Sequence, residues 1–483
     1  MFLGLDLGTS GLRGLLVDGN GDVIATAEAG YDVSHPHSGW SEQDPADWFT
    51  AFRVVMGALN DTAPDAVAAL RGIGISGHMH GATLLDDAGD VLRPCMLWND
   101  TRSFEQAAAL DARPEFRTLT GNIVFPGFTA PKVQWVAENE PQIFAQVAKI
   151  LLPKDYLSYR LTGSYTSDMS DSAGTAWLDV GARDWSDQLL NVCNLTRDQM
   201  PTLFEGTGIV GHLRPDLSAE LGLPDDIAVV GGGGDNAAAA CGIGALAEGD
   251  GFVSLGTSGV LLAAKTGFAP DPATAVHTFC HAIPDTWYQM GVILAATDSL
   301  NWLSRNLGEP ADVLAGALGD HIDGPGALRF LPYLSGERTP HNDSAMRGAF
   351  IGIDIATGHR EMTQAVIEGV SYALRDNLEA LKSTGTDLKR VIAIGGGSQS
   401  RYWVELIATV LNLPVDLPAQ GEFGAAMGAA RLAICGVTGA APAEVMTKPA
   451  VSETINPRAD LIDAYETAYR KFHATYPALK ALT

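Results

Sequence analysis

The pentapeptide Leu-Gly-Thr-Ser-Gly occurs twice in this chain, at Leu7 to Gly11 and at Leu255 to Gly259. A repeat about half a chain apart restricts the fold more than any other feature. Each copy follows a short apolar run (Met1 to Leu5; Gly251 to Val253) and precedes another (Leu12 to Val17; Val260 to Ala264). That is the pattern of a strand, a tight turn and a second strand, so two related halves are expected, each opening on a hairpin. A turn with glycine at both ends and small hydroxyl residues between leaves backbone N–H groups uncovered, and such turns form concave nests for anions, phosphate above all. Either copy alone would pass for an ordinary glycine turn.

A chain of 483 residues suits two domains better than one core. The net charge of −26 argues against nucleic acid or an anionic membrane as partner, since both demand basic surface. An acidic protein that handles phosphate must concentrate backbone dipoles, a few cations or a divalent metal locally. Cys95, Cys193, Cys241, Cys280 and Cys435 are widely spaced and include no Cys-x-x-Cys pair, which reads as reduced thiols in a cytoplasm. No basic-then-apolar leader and no membrane-length apolar run is visible.

In the first half, the turn Asp18 to Asp22 and the run Val23 to Ala27 extend the hairpin into a three-stranded meander. Asp6 ends the first strand, where its carboxylate either caps the turn or, across a Mg²⁺ ion, faces bound phosphate. Asp44 as N-cap and Pro45 at the first helical position start a helix running to about Asn60. Gly72 to Ser76 reads as a strand leading to His78-Met79-His80. On a strand the two histidines would share a face; zinc is one reading, a substrate or solvent contact the other. Trp98, Asn99, Asp100 and Arg102 combine a stacking surface, an amide, a carboxylate and a guanidinium, a mixture that suits a polyhydroxylated ligand.

Ile227 to Val230, Gly231 to Gly234, then Asp235-Asn236 and an alanine-rich run describe a buried strand, an open glycine loop and a helix. Asp235 reads as the N-cap of that helix or as a general base, its pKa lowered by the helix N-terminus. Arg338 is one of few cations nearby, explained equally by an ion pair with Glu337 or by phosphate. Arg360 to Ser383 has helical periodicity. Val391 to Ile394, Gly395-Gly396-Gly397 and a helix from Arg401 give a strand, glycine turn and helix, the place where open α/β sheets bind nucleotides. The lysine of a P-loop is missing. Gly421 to Ala430 is rich enough in glycine and alanine for close helix packing.

These segments resemble the FGGY carbohydrate kinases nearly end to end, and within that family those acting on xylulose. The resemblance rests on Gly4 to Ser10, Trp40 to Pro45, Met79 to Thr83, Leu97 to Asp100, Gly127-x-Thr129-x-x-Lys132-Val133-x-Trp135, Gly232 to Asn236, Phe330 to His341 and Gly395 to Gly397. It implies an α/β, actin-like (ribonuclease H-like) fold of two related domains with the active site in the cleft between them. Residues 1–245 would form the sugar side with the catalytic aspartate, and 246–483 the nucleotide side. It further implies ATP and Mg²⁺ as cofactors, D-xylulose phosphorylated to D-xylulose 5-phosphate, and a cytoplasmic enzyme for which a homodimer is an allowed assembly. Asp235 would be the catalytic base, with Asp6 serving the metal and phosphates and both carboxylates at the metal. Met79, His80, Trp98, Asn99, Asp235 and Asn236 would contact sugar, and Gly8, Thr9, Ser10, Gly256, Thr257, Gly396 and Gly397 the nucleotide. Arg13, His78 and Thr101 depart from the bacterial pattern (lysine, glutamine and glycine); the last two flank the sugar-side motifs, which leaves other ketopentoses or pentitols, ribulose and ribitol, as alternative acceptors. An actin-like or chaperone-like ATPase shares the fold, and a sugar-sensing regulator would begin with a DNA-binding helix pair.

Overall fold

A computed structural model describes residues 1–419 and 424–482, and its two large sheets repeat one another. The first runs Val23–Gly30, Gly11–Val17, Phe2–Leu7, Gly72–Gly77, Ala228–Val230, Ile209–His212, with Gly233–Gly234 extending along Gly72–Gly77. The second runs Trp287–Ile293, Gly259–Lys265, Gly251–Leu255, Val391–Ile394, Val415–Pro418, Val451–Ile455, with His277–Cys280 at the outer edge. The sense of pairing is also the same: an antiparallel meander, two parallel strands, then an antiparallel edge. The repeated pentapeptide is therefore the trace of a repeated sheet.

Register gives equivalent places to unlike residues. Asp6 lies opposite Arg13 on one side and Ser76 on the other, while Ser254 lies opposite Val260 and Ile394. The parallel strand beside each hairpin ends, in the first half, in His78-Met79-His80 and, in the second, in the turn Gly395-Gly396-Gly397. Gly395 has φ +89°, and a Cβ there would stand 2.8 Å from the Leu255 carbonyl oxygen. Only glycine lets that turn sit on the second hairpin.

Helices cover both sheets. Asp44 caps Pro45–Thr62 by accepting from the Ala46 N–H at 2.9 Å, and Trp48, Phe52, Val55 and Leu59 turn inward, Val55 directly over Gly14. His359–Ser383 buries the face that its periodicity predicts, Ala365 to Leu381. A further helix, Ala425–Thr438, belongs to the second half of the sequence but packs on the first sheet. A Cβ at Gly4 would stand 1.8 Å from the Ala426 carbonyl oxygen, one at Gly74 1.9 Å from that of Ala429, and one at Gly428 1.7 Å from that of Ala238. Main chain thus touches main chain, tying this helix to the two central strands and to Asp235–Ile243. Gly421, where the glycine-rich reading began, lies outside the described residues. No helix among the described residues is long and apolar enough to cross a membrane.

Because the obstructing atoms at Gly428 are backbone, Gly428→Ala is expected to destabilise the protein by about 1–3 kcal/mol or more. Gly57→Ala, on an exposed helical face with nothing within 4 Å of the new methyl, should stabilise by about 0.5–1 kcal/mol. Urea unfolding midpoints of the two variants check both signs; an unchanged midpoint for Gly428→Ala contradicts the packing described.

Candidate active site

A cleft of about 270 Å³ opens where the halves meet. The first hairpin supplies Asp6, Gly8 and Thr9, the end of the neighbouring strand His78, Met79 and His80, and the glycine loop Asp235 and Asn236. The second half closes it with Ser258, Val260, Met290, Val292 and Arg338.

Asp235 is the first residue of its helix rather than the cap, a place taken by Gly234. Its Oδ1 accepts from the Asn236 N–H at 2.6 Å and from Asn236 Nδ2 at 2.8 Å. Oδ2 takes no hydrogen bond among the described residues and is left for a ligand. Burial and then the negative charge of Asp6 push the carboxyl up to about 6. This corrects the expectation of a lowered pKa: loss of water and a second carboxylate outweigh the helix N-terminus and the two Asn236 donors. Asp6 is raised as well, by burial, against the Ser76 hydroxyl at 3.2 Å and the charge of Arg13. The glycine loop before Asp235 is held from behind. Lys154 Nζ donates to the Gly231 carbonyl at 3.3 Å and pairs with Asp155 and Asp168 at 2.5 and 2.8 Å, while Ser170 Oγ accepts from the Gly234 N–H at 3.0 Å and donates to Asp168. All of these side chains are buried. Sequence reasoning missed them; the only local sign was the density of Asp and Ser between Ser167 and Ser172.

His80 is turned into the left-handed region, φ +73°, and fixed there by its own carbonyl, which accepts from Thr129 Oγ1 at 3.1 Å and from the buried Lys132 Nζ at 3.0 Å. Its Nδ1 meets the Gly174 carbonyl at 2.8 Å. A carbonyl only accepts, so Nδ1 carries the proton and Nε2 is an acceptor. Burial lowers the ring's pKa to about 3, and the imidazole is neutral. Because the strand stops at Gly77 and His80 has left-handed φ, the two histidines do not share a strand face as the zinc reading requires. His78 is buried, with both ring nitrogens unpartnered.

Several expected residues stand elsewhere. Trp98 lines the cleft and donates from Nε1 to Thr9 Oγ1 at 3.0 Å, whereas Asn99 and Ser10 are exposed and outside the lining. Asp100 and Arg102 are spent on each other, at 2.6 Å, and Arg102 stacks on Trp40; the ligand-like mixture is half a structural clamp. Thr101 donates to the Gly39 carbonyl, away from the cleft, and Arg13 pairs with Glu28 at 3.3 Å. Glu337 accepts from the N–H groups of Arg338 and Leu294, so the expected ion pair with the Arg338 guanidinium is absent among the described residues. Arg338 instead reaches the cleft, which sequence reasoning left open.

Gly396 lies between two further cavities, of about 720 and 490 Å³. The smaller also touches Gly397 and has the apolar walls Leu300, Ala315 and Trp403 with polar Asn301 and Ser400. Gly256 meets it through the start of the helix Thr297–Leu307: its carbonyl accepts from the Thr297 N–H at 3.0 Å and Oγ1 at 2.7 Å. Thr257 is exposed, and its carbonyl accepts from the Ala296 N–H. Among the described residues no group of three or more His, Cys, Asp or Glu side chains could hold a metal.

Residues 1–242 match the N-terminal domain, and 251–437 the C-terminal domain, of the FGGY family of carbohydrate kinases. The xylulose kinase of Escherichia coli (strain K12) is 44% identical over 487 aligned positions, covering 100% of both chains. That of Klebsiella pneumoniae is 46% identical, covering 93% of this chain and 92% of its own. Among solved structures, a xyloylose kinase from Brucella ovis superposes with a TM-score of 0.98 at 55% identity, with all of both chains covered.

The electrostatics predict that the Asp235 carboxyl carbon, followed by NMR in the free protein, titrates near pH 6. Asp6→Asn removes a like charge and should move the inflection down. An inflection in the ordinary carboxylate range, or no shift in the variant, contradicts the described pairing.

Proposed function

The chain belongs to the FGGY family of carbohydrate kinases, which transfer phosphate from ATP to a sugar, and from that premise we propose that its acceptor is D-xylulose and that Asp235 is the general base. The observation that carries this reading is the free Oδ2 of Asp235, fixed by Asn236 through its other oxygen and facing a cleft sized for a pentose. A base with a pKa near 6 is ionised at neutral pH yet still basic enough to take a proton as the oxygen attacks. The relatives named xylulose kinases favour this sugar.

In this mechanism the terminal hydroxyl of the sugar gives its proton to Asp235 Oδ2 while its oxygen bonds to the γ-phosphorus in line. The bond to the bridging oxygen breaks, and ADP and D-xylulose 5-phosphate leave. His80 Nε2 accepts from a sugar hydroxyl, with Lys132 and Thr129 holding its backbone. Met79, Phe128, Met290 and Val292 give the cleft apolar walls that exclude water, the competing acceptor. The phosphates lie against Gly8-Thr9 on one side and Gly256-Thr257 on the other, with the adenosine beside Gly396 and Gly397 in the smaller cavity. Two neighbouring carboxylates with raised pKa values fit Mg²⁺. Asp6 and Asp235 would hold it, and once bound it neutralises phosphate charge.

Asp235→Ala should lose about 10²–10⁴-fold in turnover while still binding nucleotide, and kcat/KM of the parent should fall tenfold per unit as pH drops below about 6. Steady-state assays check both; near-normal turnover in the variant removes Asp235 from the role. Asp6→Ala should shift the magnesium titration of activity to higher concentration, and an unchanged curve removes Asp6 from the metal. Across D-xylulose, D-ribulose, ribitol, glycerol and gluconate, D-xylulose should give the highest kcat/KM, and a clear preference for another acceptor overturns the substrate.

A further inference from the structure

Arg338 is a cation without a contact ion pair in a strongly acidic protein, and the charge of Glu337 acts on it only from beyond contact distance. Among the described residues no carboxylate oxygen comes within 4.0 Å of its guanidinium. Its sequence neighbour Glu337 faces the backbone N–H groups of Leu294 and Arg338. The guanidinium rests on the Phe125 ring, 4.7 Å from the centroid, and Nη1 meets His277 Nε2 at 3.4 Å. His277 is buried and neutral, its pKa held well below the usual value by burial and by Arg338 itself. A desolvated cation on such neutral supports is costly to keep, and this one opens into the cleft that holds Asp235. Unpaired ionisable groups of this kind mark places where a ligand completes the set.

Contacts along the cleft give its place. Gly234, next to Asp235, faces the Met79 side chain. His80 stacks on Phe128 at 4.6 Å, Phe128 lies 5.9 Å from His277, and His277 touches Arg338. The charge of Asp6 acts on Asp235, whereas that of Arg338 acts on His80 and His277. Asp235 therefore marks one end of the acceptor's path and Arg338 the other.

Resting on the reading of a pentulose acceptor, we infer that Arg338 receives the end of the sugar remote from the transferred phosphoryl group, donating to the C2 keto oxygen. A guanidinium only donates, and a keto oxygen only accepts. A hydroxyl in the same place must turn its own proton away, and it carries less negative charge. Arg338 thus makes the cleft prefer a ketose to the corresponding pentitol.

The test compares kcat and KM for D-xylulose and for xylitol, with ATP, in the parent protein and in Arg338→Met and Arg338→Lys. A charge-assisted hydrogen bond of the usual strength corresponds to about 10–100-fold. Arg338→Met should raise KM for D-xylulose by about that factor, lower the ketose-to-pentitol ratio of kcat/KM equally, and leave binding of an ATP analogue intact. Arg338→Lys should recover part of the ratio. Equal losses on both acceptors with KM unchanged would place Arg338 at the phosphoryl group and overturn the inference, as would an unaltered ratio. If the parent protein prefers another pentulose, the substrate assigned above fails, and the same ratio measured on that pentulose and its own pentitol decides Arg338 separately. Preference of the parent for D-gluconate would make the partner a carboxylate and overturn the keto assignment.

Discussion

Contact of main chain with main chain at Gly4, Gly74 and Gly428 is the constraint on which this molecule depends. Through it a helix encoded late in the chain lies on the central strands of the first sheet and on the helix that begins with Asp235. Those strands end in Asp6 and in His78 to His80, so one packed unit carries the acidic pair and the proposed sugar contacts. A methyl group at any of the three positions would force the helix outward and the cleft with it. Small residues stand here because of backbone distance, whatever their local propensities.

The two halves share a sheet and divide the labour by what stands at equivalent places. Asp6 in one corresponds to Ser254 in the other, and His78-Met79-His80 to Gly395-Gly396-Gly397. One strand end thus presents side chains suited to hydroxyl groups, the other open backbone suited to a nucleotide. The scaffold is repeated, and the proposed chemistry rests on the differences between its copies.

The sequence shows what depends on local pattern: the hairpins, the helix starting at Pro45, the helix His359–Ser383 and the glycine turn. It also brings Asp6, Met79, His80, Trp98, Asp235 and Asn236 to notice, and the structure gathers them in one cleft. What it conceals depends on burial and on partners far along the chain. For Asp235 the sequence predicts either a cap or a base with a lowered pKa, because a helix N-terminus is visible in sequence while desolvation and Asp6 are not. Asp100 and Arg102 looked like ligand groups because nothing local shows that they face each other. Nothing local shows that Lys154, Asp168 and Ser170 hold the loop before Asp235, from about 65–80 residues upstream. For Arg338 the sequence leaves a Glu337 pair and a phosphate equally open, because nothing local shows that the backbone takes Glu337.

The central claim concerns orientation: the acceptor lies with its terminal hydroxyl on Asp235. A crystal structure with D-xylulose and a nonhydrolysable ATP analogue measures this directly. The account predicts O5 within about 2.6–3.2 Å of Asp235 Oδ2, in line with the γ-phosphorus. A sugar bound the other way round, or an O5 whose only neighbour able to accept a proton is a different side chain, would contradict it.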